Sequence, residues 1–383
     1  MAHRRLFLLA ALLWLCAQGV WLAQLSQPRP AQHALLMSLG FMPLFITGFA
    51  LGALPRWLGV AGPAVAGWPR VLPVLLAGLA WQLLSLQGPW SQEGSPLAMQ
   101  DRLQGAALVL QALWLALLTC PLLRRLALAW PGSTPARRGP VRGLLLGLGL
   151  LLALQALAGL ALWLAQPQWL PRLSALALWL ALGMIFTQAL ARLSALLAPA
   201  LLPWLWLALA LRATPLQTLE GWPAVALALA WLALAATLWR HGSRPELAAA
   251  RRSSPFVAQL RRGLLWLAAS LALAALALLW PAQRAALLLA STHAYALGGL
   301  LTLMLAMVSR VSAVHAGQAL AADARQRGLH ALLQALAGAR VLACWPGAAA
   351  LLPAVAAGMT TLAGLWLWRY APLLRSPVAK DKP

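Results

Sequence analysis

The sequence predicts an all-α, polytopic bundle of transmembrane helices, with about twelve spans and both termini in the cytoplasm. Three observations predict it. Of 383 residues, 62% are hydrophobic and 9% are charged, against about 45–50% and about 25% in a soluble domain. Apolar blocks long enough to cross a bilayer recur from one end of the chain to the other. The 29 Lys and Arg, against six Asp and Glu, fall between those blocks and alternate in density along the chain. Mean hydropathy is +0.79. A net charge of +23 would suggest nucleic acid in a soluble protein, but its placement here assigns it to topology, so the expected partner is the lipid bilayer and not nucleic acid.

The spans read as 5–25, 34–54, 69–87, 104–123, 142–165, 172–197, 199–212, 222–240, 262–280, 284–309, 329–347 and 349–369. Leu/Ala runs of this length satisfy their backbone groups in lipid only as helices. The first follows His3, Arg4 and Arg5 and has the outline of a signal peptide. Its apolar run, Leu6 to Leu25, is long enough to span, and no small-x-small cleavage site follows. Leu15 precedes Cys16 where a lipoprotein signal has Gly or Ala, so the first span is expected to stay uncleaved. The seventh is short, lies between Pro199 and Pro215, and reads as a half-span or a continuation of its neighbour. The last two join at Trp345, Pro346 and Gly347. The longest connectors, near 88–103, 241–261 and 310–328, are too short for a soluble domain, so residues 1–383 read as one integral membrane domain.

Sorting the basic residues by side tests the count. With the N-terminus inside, 23 Lys and Arg fall on the cytoplasmic side. Arg29, Arg102, Arg172, Arg212, Arg284 and Arg340 make up the outer six. That bias persists to the C-terminus, as the positive-inside rule expects of an even number of crossings.

Few residues in the spans carry chemistry. Cys16, Cys120 and Cys344 are scattered, with no CxxC, and read as buried small apolar side chains. Glu93, Asp101, Glu220, Glu246, Asp323 and Asp381 read as connector or tail residues, which argues against an ion-coupled transporter built on a buried carboxylate. Gly143 with Gly147, and Gly48 with Gly52, make GxxxG pairs for close helix approach. Histidine is the informative type. His3, His241, His315 and His330 sort to the cytoplasmic side, and His33 lies outside, just before the second span. His293 lies about nine residues into the tenth span, so roughly 13 Å deep. An imidazole at that depth reads either as a ligand for haem or a soft metal or as a neutral hydrogen-bonding group between helices. His293 and His315 are 22 residues apart, roughly 33 Å along a helix, so they cannot share one metal ion. Metal sites therefore divide into an outer one, with His33 and His293, and an inner one, with His315 and with His241 or His330 as secondary candidates.

Residues 291–318 run through His293, Gly298, Gly299, Met304, Met307, Arg310, His315 and Gly317. This register resembles the NnrS family of bacterial membrane proteins. Gly40-Phe41, Gly48-Phe49 and Pro55-Arg56-Trp57 are similar to that family's second span, and Arg369-Tyr370-Ala371-Pro372 to its C-terminal motif. The chain departs at Gln32-His33-Ala34-Leu35-Leu36, which keeps one His of the family's Trp-His-x-His-Glu. It departs again at Gly183–Thr187, which lacks the family's Arg and Pro. The resemblance implies a multi-pass protein of the bacterial inner (cytoplasmic) membrane that mitigates nitric oxide stress. It implies haem, and also copper, held through His33 and His293, with Arg310 pairing a haem propionate and His315 completing an inner metal site. Nitric oxide or a metal complex is then the expected small-molecule partner. Two other readings remain: a transporter or channel for a small neutral or metal-bound solute, with Pro43, Pro73, Pro121 and Pro203 along its path, and an assembly partner with no site of its own.

Overall fold

Each of the twelve apolar blocks forms a helix in the computed structural model, which describes residues 2–26, 29–60, 68–85, 98–193, 197–214, 219–244, 255–315 and 323–375. The first, α1, is Ala2–Ala23. Next comes α2, Pro30–Leu58, with a π-helical turn at Leu36–Gly40. Then follow α3 (Trp68–Ser85), α4 (Ala98–Ala129) and α5 (Pro135–Trp163). Helix α6, Pro167–Leu193, contains a second π segment at Leu176–Ala181. It is followed by α7 (Pro199–Arg212), α8 (Gly221–Gly242) and α9 (Pro255–Leu279). Helix α10 enters through a 3-10 turn at Pro281–Gln283, runs Arg284–His293, loosens to a π segment at Ala294–Leu301, and continues as Thr302–His315. The last two are α11 (Ala324–Leu342) and α12 (Pro346–Arg375). Proline opens many of them, because the first turn has no use for its missing N–H.

Among the described residues, nine of these helices are long and apolar enough to cross a bilayer: α1, α2, α4, α5, α6, α8, α9, α10 and α12. The other three fall short of the twelve expected spans for different reasons. Helix α7 has 14 residues, about 21 Å of rise. The apolar part of α3 is only Leu72–Trp81. Helix α11 carries Arg325, Arg327 and Arg340 within its 19 residues. Outward leucines such as Leu128, 76% exposed, and tryptophans such as Trp222, 84% exposed, would be a liability in water. Facing lipid and its interface they are at home. Cys16 and Cys120 also face outward, contrary to the expectation of burial; against acyl chains a thiol behaves as a small apolar group.

Contacts divide the chain into two compact units, Met1–Ile185 with Leu367–Ser376, and Phe186–Trp366 with the C-terminal residues. In unit 1, α1 packs on α2 and α3, α4 on α3 and α5, and α5 on α2 and the π segment of α6. Arg4 ties α1 to the end of α12 through the Leu373 carbonyl. The Gly147 of the predicted GxxxG pair does allow close approach: a Cβ there would sit 2.6 Å from Ile185 Cγ1. In unit 2, α9 packs on α8 and along α10, and α10 also receives α11.

A π-helical turn frees backbone groups from the regular ladder. At the turn in α2 the Leu39 carbonyl accepts from Gln155 Nε2 at 2.9 Å, and the same amide donates to Gln111 Oε1 at 2.7 Å. Both glutamines are fully buried. Gln155→Leu leaves a carbonyl and an amide oxygen buried without that donor, which costs about 2–3 kcal/mol. The expected outcome is a lower unfolding temperature in detergent, measured against Gln166→Leu in the connector that follows α5.

Candidate functional site

Unit 1 presents His33 in the first turn of α2. Pro30 starts that turn, and the His33 N–H bonds the Arg29 carbonyl at 2.9 Å. The half-buried imidazole lies against the Trp21 ring, with centroids 4.1 Å apart. Three residues later the helix opens into its π turn.

His293 occupies the corresponding place in unit 2, at the last α-helical residue before the π segment of α10. Its ring is half-buried, and Nδ1 lies 2.9 Å from the Leu289 carbonyl. A carbonyl only accepts, so Nδ1 carries the proton and Nε2 of the neutral ring carries the lone pair. This is how proteins orient an imidazole that ligates iron or another metal through Nε2. Just beside it, the Leu288 carbonyl accepts from Thr292 Oγ1 at 2.9 Å and from Arg212 Nη2 at 3.1 Å. Arg212 ends α7 and is 7% exposed. The sequence reading counted Arg212 only as an outer topological charge, yet the fold brings its guanidinium to the turn that carries His293. Its signal was an Arg closing an unusually short apolar helix, where a positive charge also complements the helix dipole.

Arg310 belongs to the other end of α10. It lies 17 residues beyond His293, about 25 Å along the helix. It is exposed, with its guanidinium 4.4 Å from the centroid of Phe256. His315 is the last residue of α10, and its side chain is outside the described residues. His241 Nδ1 bonds the Thr237 carbonyl of its own helix at 2.9 Å. His330 is buried on α11. His33 and His293 fall in different units.

Asp101 corrects the sequence reading of the carboxylates. Instead of lying in a connector, it is in the first turn of α4 and is 2% exposed. An acidic side chain there favours the positive end of the helix dipole, and its burial follows from the packing of α4 against α3 and α5.

An imidazole oriented as His293 is, with Nε2 presenting its lone pair, fits the axial position of a haem iron. Among the described residues no three His, Cys, Asp or Glu come together as a metal-binding group.

No curated protein matches the chain. The sequence profile of the family described as NnrS protein matches residues 1–377. The coverage takes in α1 to α12, His33 and His293 with the helices that carry them, and the C-terminal Arg369-Tyr370-Ala371-Pro372 motif, so this all-α, multi-pass membrane protein belongs to the NnrS family.

Proposed function

We propose that this protein lies in the bacterial inner membrane, crosses it twelve times with both termini in the cytoplasm, and mitigates nitric oxide stress as a haem protein. The 23-to-6 sorting of basic residues supports the topology. The observation that carries the haem reading is the His293 Nδ1 bond to the Leu289 carbonyl, which presents Nε2 as an iron ligand. His33 is the candidate ligand of unit 1, held there against Trp21. Bound haem iron supplies a centre that coordinates nitric oxide.

The chain's own residues would do the rest. His293 would hold a haem iron in unit 2, and Arg212 would offer its buried guanidinium to a carboxylate of the ligand held beside it; His33 would hold one in unit 1. Arg310 and His315 belong to a separate inner site at the opposite end of α10. Wild-type protein, expressed with ample haem and purified in detergent, is expected to show a Soret band, and His33→Ala is expected to reduce the bound haem. A wild-type protein with no Soret band removes the haem reading.

A transporter for a small solute is the second reading, and the burial of Asp101 in α4 favours it. The short helix α7 also resembles the broken helices of transporter sites. Solute uptake into proteoliposomes that is lost in Asp101→Asn, together with an absent Soret band, would select it.

A further inference from the structure

Unit 2 holds a line of polar side chains that neither reading uses. On α9 they are Gln259, Arg262, Trp266 and Ser270, at i, i+3, i+7 and i+11, one face of that helix. On α11 they are Gln326, His330 and Gln334, at i, i+4 and i+8. The two stripes meet. Trp266 Nε1 donates to Gln334 Oε1 at 2.7 Å, and one turn back along both helices Arg262 acts electrostatically on His330. Continuing that register one further turn places Gln259 level with Gln326. From the first rung, Gln334 Nε2 donates to Thr302 Oγ1 of α10 at 2.9 Å. One turn beyond Trp266, Ser270 Oγ donates to the Ser291 carbonyl at 3.0 Å and Ser291 Oγ to the Ser270 carbonyl at 2.9 Å. Ser291 is two residues from His293. From Gln259 to Ser270 the line covers about 17 Å.

Helices in lipid do use polar contacts as glue, and such contacts are satisfied on both sides. The Arg-rich end of this seam is different. Gln259, Gln326 and His330 are 4%, 2% and 5% exposed. Gln259 Oε1, Gln326 Nε2 and His330 Nδ1 have no hydrogen-bond partner among the described residues, and neither does the fully buried Ser312 Oγ of α10. Each buried polar atom left so costs about 1–3 kcal/mol. Gln259, Gln326 and His330 offer an acceptor, an amide donor and an imidazole, which suit an internal water with its two to four bonds. Asp323, Arg325 and Arg327 begin α11 at the same end and provide a hydrated entrance.

We propose that this seam is a water-filled path from the Arg-rich end of unit 2 to the level of Ser291 and His293. Water enters between Gln259 and Gln326, hydrogen-bonds the buried His330 there, and follows the polar line past Gln334 and Thr302 to the hydroxyls of Ser270 and Ser291. The path stands whether or not His293 holds a haem.

The test uses the full-length protein in lipid, with Cys16, Cys120 and Cys344 replaced by Ser. A single thiol is introduced as Ser270→Cys, at the deep end, and its isolated S–H stretching band is followed by infrared spectroscopy on transfer to D2O. Ala268→Cys is the control: it lies nearer the Arg-rich end and is 2% exposed, but is off the polar stripe. Ser270→Cys is expected to exchange about tenfold faster than the control, as hydrated sites do relative to dry ones. Adding Gln334→Leu or, independently, Gln326→Leu is expected to bring it down to the control rate, with retained helical circular dichroism as the folding check. Equal exchange at residues 268 and 270, or a rate that neither leucine changes, overturns the path.

Discussion

His293→Ala is expected to cost the protein most of the haem bound by unit 2, read as a lost or shifted Soret band beside wild type. The reasoning is local. The Nδ1–H bond to the Leu289 carbonyl fixes both the tautomer and the ring direction, leaving the lone pair on Nε2. Alanine removes the ligand but leaves α10 intact, because the helix is held on either side of His293 by Ser291 against Ser270 and by Gly298 against the Trp266 ring. A Cβ at Gly298 would lie 2.2 Å from that ring, so the packing there is tight. Added free imidazole should therefore restore the band, which it would not do for a misfolded protein. Arg212→Gln gives a graded second result. It keeps the iron ligand and removes a charge-assisted donor of about 1.5–3 kcal/mol, so haem should dissociate roughly ten- to a hundredfold more readily. An unchanged spectrum in His293→Ala refutes His293 as ligand; unchanged retention in Arg212→Gln refutes only the role of the guanidinium.

Much of this architecture is written in the apolar blocks. The segment read at 222–240 is α8, Gly221–Gly242, and the one read at 284–309 lies within α10. Chain-long hydropathy gives such segments because a bilayer demands length and apolarity and little else. It does not say which face of a Leu/Ala helix is buried, since both faces look alike. Asp101 was placed in a connector for that reason, and the burial of Arg212 was not foreseen: each sits at a helix end and each is buried by packing that hydropathy does not show. The π segments at Leu36–Gly40 and Ala294–Leu301 were equally invisible, because a one-residue widening of the helix leaves no composition signal. An ionisable residue deep in an apolar run is costly enough to stand out by itself, which is why the sequence draws attention to His293. What sequence could not supply was its partner, the Leu289 carbonyl four residues back, and with it the direction of the ring.

The largest effect on the fold itself is expected at Gly105. There α4 and α5 cross with backbone against backbone: a Cβ on Gly105 would lie 2.4 Å from the Gly159 oxygen and 2.8 Å from the Trp163 nitrogen. The closeness is mutual, since a Cβ on Gly159 would lie 2.6 Å from the Gly105 oxygen. Such a crossing gains van der Waals contact and Cα–H···O attraction that larger residues exclude. The atoms in the way are backbone, so no side chain can swing aside, and Gly105→Ala must push the helices apart by about 1 Å to restore ordinary contact distance. Overpacking of this kind costs about 1–3 kcal/mol or more, which outweighs the roughly 1 kcal/mol that Ala gains over Gly as a helix former. Gly149→Ala on α5 is the matched comparison, because nothing lies within 4 Å of its Cβ and the residue is exposed. It should be neutral or slightly stabilising, whereas Gly105→Ala should unfold several degrees lower and Gly105→Val should leave little folded protein to purify. If Gly105→Ala proves as stable as Gly149→Ala, α4 and α5 do not cross at this distance, and the packing of unit 1 around Gln111 and Gln155 would have to be redrawn with them.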